Sequence, residues 1–137
     1  MAKPKSTWKM QSWGLYTAWD RQAKTLPEIQ DFTEEIPAIP GVEFGYILQI
    51  KKARGKQIHF TIEHPPFPDE NGQAAPSFTG DIYVRSNDWY FFLGDTVWEP
   101  IADKCGPWRL IIELETEIIS DKTFIIKKVE DDLIKKH

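Results

Sequence analysis

A chain of 137 residues with a net charge of -4 is sized for one domain, and with no long basic run it argues against a general nucleic-acid surface. Hydrophobic residues make up 41%, enough for a real core, and eight Phe, six Trp and four Tyr in short alternating runs favour strands over helices. No apolar run approaches the ~20 residues of a membrane span, so no membrane association is expected, and Cys105, alone in the sequence, excludes an intrachain disulfide.

Residues 1–10 are basic and polar and read as an N-terminal tail. No apolar stretch follows before Trp13, so the segment does not read as a secretory signal, and a cytoplasmic location is the default expectation. A first strand is expected from Gln11, with Trp13, Leu15, Thr17 and Trp19 on one face and Tyr16 and Ala18 on the other. Asp20 to Lys24 reads as a turn. Between Leu26 and Ile36 the apolar residues Ile29, Phe32 and Ile36 fall at mixed spacing that a short helix would also fit. Pro27, Pro37 and Pro40 favour an irregular or edge strand there.

Phe44, Tyr46, Leu48 and Ile50 alternate with Gly45, Ile47, Gln49 and Lys51. Ile58, Phe60 and Ile62 repeat the pattern beyond Gly55, which predicts a hairpin. The basic run Lys51-Lys52-Ala53-Arg54-Gly55-Lys56 sits at its tip and reads as a solvated turn in preference to a phosphate-binding loop. His64 to Ser77 is the longest loop, with Pro65, Pro66, Pro68, Pro76 and the turn Asp69-Glu70-Asn71-Gly72. Loops of this length in compact domains are more often functional than not.

Asp81 to Ser86 forms the next expected strand, with Ile82 and Val84 opposite Tyr83 and Arg85. After a turn at Asn87-Asp88, Trp89 to Leu93 is nearly all apolar, as in a segment buried on both sides or packed under a loop. Gly94-Asp95 reads as another turn and Thr96 to Glu99 as a short strand. Trp108, Leu110, Ile112 and Leu114 then alternate with Arg109 and Glu113, and Phe124 and Ile126 repeat the period a hairpin's length later. The hairpin tip, near Glu115-Thr116-Glu117, lacks the usual Asn-Gly or Asp-Gly. Residues 129–137 form a charged C-terminal tail. The whole predicts one all-β domain over residues 11–128, an antiparallel β-sandwich of about eight strands.

Several of these stretches occur in a recognisable order: Gly14-Leu15-Tyr16, Leu26-Pro27, Val42-Glu43-Phe44-Gly45, His64-Pro65, Asn87-Asp88-Trp89, Phe92-Leu93-Gly94-Asp95, Trp98-Glu99-Pro100, Gly106 with Trp108, and Lys122-Thr123-Phe124. Over roughly Gly14 to Lys127 they resemble an uncharacterised bacterial family, domain of unknown function 3859. The resemblance implies an immunoglobulin-like sandwich and implies no activity. The Gly-x-Trp strand and its Lys-Thr-Phe partner are also similar to the last hairpin of many bacterial immunoglobulin-like modules.

Candidate chemistry is sparse. His59 and Glu63 share a strand face, but four residues of strand separate their Cα atoms by ~13 Å, too far for an acid–base pair. Glu63, His64, Asp69 and Glu70 surround the long loop without the spacing of a zinc or calcium site, so no metal ligand and no cofactor is expected. Cys105 reads as a buried or incidental thiol, and no catalytic residue is assigned. Trp89, Tyr90, Phe91, Phe92 and Trp98 form the densest aromatic cluster and read mainly as core, although successive strand residues cannot all face one way.

The expected function is therefore a non-catalytic binding module with a protein partner, a second copy included. The assigned partner-binding residues are Phe67, Asp69, Glu70, Arg85, Asp88 and Trp89, and not the hairpin at Lys51 to Lys56. Phe67 is expected as an apolar tip between Pro66 and Pro68, with folding back to plug the sandwich end as its alternative. A carbohydrate-binding module with a row of exposed rings is the second reading, and a metal-dependent enzyme on the 64–77 loop a less favoured third.

Overall fold

The structure, a computed structural model, describes residues 5–18 and 25–129. Its strands are β1 (Thr7–Tyr16), β2 (Ile29–Asp31), β3 (Glu35–Pro37), β4 (Glu43–Lys51), β5 (Gln57–Glu63), β6 (Phe78–Tyr83), β7 (Asp88–Thr96), β8 (Gly106–Leu114) and β9 (Glu117–Lys127). They form a four-stranded sheet in the order β2-β1-β4-β7 and a five-stranded sheet in the order β3-β9-β8-β5-β6. Neighbours are antiparallel except β3 and β9, which run parallel. The chain is thus an all-β sandwich. The strands number nine among the described residues because the proline-punctuated segment before β4 supplies two edge strands of three residues, one to each sheet.

Period-two patterning places the core. Phe44, Tyr46, Leu48 and Ile50 of β4 face Trp108, Leu110, Ile112 and Leu114 of β8, with Phe124 and Ile126 of β9 beside them, all buried. Phe44 stands edge-on to Trp108 at 5.7 Å and meets Phe124 at 5.8 Å, which ties the two sheets together. The Tyr46 hydroxyl crosses the same gap, donating to the Leu110 carbonyl at 3.1 Å and sharing a 2.7 Å hydrogen bond with Ser120 Oγ. Burial pushes its ionisation well above the usual phenol range, so the hydroxyl stays a neutral donor.

One pairing and several boundaries differ from the sequence reading. β4 and β5, expected to form a hairpin, lie in different sheets, so residues 52–56 carry the chain from one sheet to the other. Residues 97–99, expected in a short strand, lie outside every strand, because β7 ends at Thr96. Thr7–Met10, assigned from the sequence to a tail, pair with β4 as the first part of β1. Gly94-Asp95, assigned to a turn, lies inside a continuous β7. The reason is a row of glycines in register across three strands, Gly14 opposite Gly45 and Gly45 opposite Gly94. A Cβ on Gly45 would lie 2.2 Å from the Leu93 carbonyl oxygen, and one on Gly94 the same 2.2 Å from that of Phe44. Gly94 therefore permits close strand approach and does not turn the chain. Over this row lie the rings of Phe92 and Tyr16, edge-on at 4.9 Å and nearly fully buried although they point away from the sandwich interior. The Tyr16 hydroxyl shares a 2.7 Å hydrogen bond with Ser12, and burial pushes its pKa up to about 12. Residues 130–137, most of the expected C-terminal tail, lie outside the described residues, as does Trp19 of the first expected strand face.

Replacing Trp108 with Ala is expected to cost about 3–5 kcal/mol, as for any fully buried large aromatic. Urea denaturation of the variant measures it; a loss below about 1 kcal/mol would contradict the core assignment.

Candidate functional site

Strand direction sorts the loops to two ends of the sandwich. β4 leaves the end that holds residues 97–105 and arrives at the loop of residues 52–56, which crosses to the other sheet. β5 returns, so the 64–77 loop lies at the first end, and the six residues of β6 bring the chain back to the second. At ~3.3 Å per residue that strand separates the ends by roughly 20 Å. The partner-binding residues read from the sequence are split accordingly. Phe67, Asp69 and Glu70 lie at the first end, and Arg85, Asp88 and Trp89 at the second. They form no common surface. Asp88 pairs with Lys51 and Trp89 with Ile50, so the second trio belongs beside the basic loop that the sequence reading set aside.

At the first end Phe67 is half-buried and folded back, which corrects the expectation of an apolar tip. Its ring stacks on His64 at 4.4 Å and stands edge-on to Trp98 at 5.5 Å. His64 also meets Phe78 at 4.8 Å and Trp108 at 5.5 Å, and its Nδ1 and Nε2 each lie 2.8 Å from a carbonyl oxygen, those of Pro65 and Pro76. Into this group runs Lys104, only 2% exposed. Its ammonium sits 4.7 Å from the ring centres of both Phe67 and Trp98 and donates to Asp103 Oδ1 at 2.6 Å and to the Pro100 carbonyl at 3.1 Å. The Trp108 indole N–H donates to the Lys104 carbonyl at 2.8 Å. Sequence reasoning missed Lys104. Its one signal was a position between Trp98 and Trp108, in a segment without strand periodicity.

Beyond this plug the turn at Asp69–Gly72 stands out from the end. Asp69 Oδ1 accepts from the Asn71 and Gln73 amides at 2.8 and 3.0 Å, so its carboxylate builds the turn. A bridge between Pro68 and Ala74 closes the stem, and Glu70 is exposed.

At the second end the 52–56 loop is held as firmly. Ala53 is 1% exposed and anchors it from below. Asn87 accepts from the Lys52 amide at 2.9 Å through its carbonyl and from the Arg54 amide at 3.3 Å through Oδ1. The Gly55 and Lys56 amides donate to Val84 and Ala53. With the amides of Lys52, Arg54, Gly55 and Lys56 all donating to the protein itself, the loop does not offer the run of free N–H groups that cradles a phosphate. Its charges point outward: Lys51, Lys52, Arg54 and Arg85 are exposed and have no carboxylate partner among the described residues, whereas Lys56 donates to Ser6 Oγ at 3.0 Å and lies 3.9 Å from Glu115. Tyr83, 63% exposed, and Tyr90, 44% exposed, flank the cluster. Trp89, expected outward, instead faces inward with Ile50 and stacks on Phe91 at 5.2 Å. Asp88 accepts from Gln49 Nε2 at 2.7 Å.

The remaining polar candidates are dispersed. His59 pairs across strands with Asp81 at 2.9 Å, and Glu63 lies 3.7 Å from Arg109. Arg109 also grips Asp121 through two hydrogen bonds, at 2.9 and 2.6 Å, which hold that carboxyl below the usual range. Cys105 Sγ donates to the Ile101 carbonyl at 3.5 Å. Among the described residues no three of His, Cys, Asp and Glu gather closely enough to hold a metal ion.

The family model described as a domain of unknown function, DUF3859, matches residues 4–126. The chain belongs to the DUF3859 family. Among solved structures, an immunoglobulin-like protein of Pseudomonas aeruginosa is similar to it at a TM-score of 0.73 and 18% identity, over 93% of this chain and 100% of that one. At that identity the likeness shows the fold alone, so this DUF3859 chain is an immunoglobulin-like sandwich. No curated protein sequence matches it.

Replacing Phe67 with Ser is expected to lower the melting temperature by roughly 5–10 °C, the equivalent of about 2 kcal/mol in a domain of this size. Replacing the exposed Glu70 with Ser should leave it unchanged. Differential scanning calorimetry distinguishes them, and an unaltered Phe67→Ser transition would contradict the plug.

Proposed function

We propose that this domain is a non-catalytic protein-interaction module that binds through its basic end. The observation that carries the reading is the concentration of Lys51, Lys52, Arg54 and Arg85, unpaired by carboxylates among the described residues, between two exposed tyrosines on a rigid scaffold. Arg and Tyr dominate interface hot spots, and a loop already fixed by Asn87 and Ala53 loses little entropy on binding. The partner that fits is an acidic protein surface, since opposed potentials speed and orient encounter.

Two other readings have less support. A carbohydrate platform needs a row of solvent-facing rings on one sheet. Tyr83 and Tyr90 instead project from β6 and β7, edge strands of different sheets, and the exposed Phe32 is turned against Trp13 at 4.9 Å. An enzyme on the long loop would need His64 or Cys105, and both are engaged with backbone carbonyls.

Affinity capture from a lysate of the source cells tests the proposal. Immobilised wild-type protein is expected to retain a partner at low salt, and the variant K52E/R54E/R85E, matched in melting temperature, to lose it. Equal retention by both proteins, or none by the wild type, would contradict the proposal.

A further inference from the structure

Resting on that reading of the basic end, we infer that a second copy of this chain is a partner, and that it docks by its acidic turn, head to tail. The two ends of one molecule are complementary. The first presents Glu70 on the Asp69–Gly72 turn and Glu99 on the neighbouring connection, both exposed. Trp98 against Phe67 holds those two segments together at 5.5 Å. The second presents Lys51, Lys52, Arg54 and Arg85.

The acidic turn protrudes on a stem whose Pro68 and Ala74 are exposed apolar surface. Beside the basic loop lies an open hollow of about 540 Å³, walled by Trp8, Lys56 and Leu114, in which Trp8 is 37% exposed. Lys56 already engages Glu115 on its rim, and Glu117, also on the rim, opposes an acidic guest. Both elements are fixed before contact, the turn by Asp69 and the basic loop by Asn87. Neither end suits itself: a twofold contact of turn on turn would bring Glu70 against Glu70, and basic loop on basic loop would oppose lysines and arginines. Head-to-tail contact avoids both and leaves one free end of each kind, so it grows into short chains in place of a closed dimer.

Sedimentation velocity of the full chain over a concentration series is the test. Wild-type protein should show a mean mass that rises with concentration at low salt and returns towards monomer near ~0.5 M salt, where screening is nearly complete within contact distance. K52E/R54E/R85E and E70K/E99K should each weaken association by about tenfold or more. An equimolar mixture of the two should restore it, because each reversed end meets a reversed counterpart. The neutral variant K52Q/R54Q/R85Q guards against misfolding and should also weaken association. A concentration-independent wild-type mass, association by either reversed variant at wild-type strength, or a mixture that stays monomeric would overturn the inference. A monomeric wild type whose basic end still captures an acidic protein would overturn self-association alone and leave the interaction-module reading standing.

Discussion

Trp108 is where both sheets and the long loop meet. Its indole is buried between Phe44 and Trp98, and a buried N–H needs a partner, which the Lys104 carbonyl supplies. That bond fixes the Lys104 main chain beside the core; its side chain runs inward too, and a buried ammonium must be compensated. Asp103, the Pro100 carbonyl and the faces of Phe67 and Trp98 do so. Phe67 then brings the 64–77 loop down over the end, with His64 and Phe78 beneath it. Each step follows from satisfying the group before it, so a loop rich in proline and lacking strand structure is still held in place.

The result is a molecule with two unlike ends. One has its aromatic residues consumed in a plug and presents solvent with a carboxylate-bearing turn and the neighbouring Glu99. The other is closed by backbone hydrogen bonds to Asn87 and Val84, which leave its lysines and arginines outward. Membership in DUF3859 and likeness to an immunoglobulin-like protein establish the scaffold, and scaffolds of this kind host many functions. The functional argument therefore rests on the ends.

Much of the scaffold was legible because its signals are local. Alternation in β4, β5 and β8 named the buried face residue by residue, and Phe124 and Ile126 of β9 were read correctly from two positions. What escaped depends on neighbours distant in sequence. Gly94-Asp95 has the composition of a turn, and only register against Gly45 shows why a glycine stands in mid-strand. Trp89 and Tyr90 are adjacent rings whose facing depends on pairing with Ile50 and Gln49. Phe67 between prolines looks like a tip until Trp98, His64 and Lys104 are placed around it. The division of the candidate residues between two ends, by contrast, was available from the sequence: a single strand separates Phe67 from Arg85, and one strand carries the chain from one end of a sandwich to the other.

The ammonium of Lys104 between Phe67 and Trp98 is the arrangement on which this account turns, and it has a direct signature. Protons on the terminal methylene of a lysine over two aromatic faces are displaced upfield by ring currents. Side-chain NMR of the full chain should show Lys104 shifted upfield of the solvent-exposed lysines, with the displacement reduced when Phe67 is replaced by Ser and that of Lys122, 5.0 Å from the Trp13 ring centre, left unchanged. Lys104 methylene resonances at ordinary solvent-exposed positions would contradict the plug, and with it the rigid turn and the distinction between the two ends.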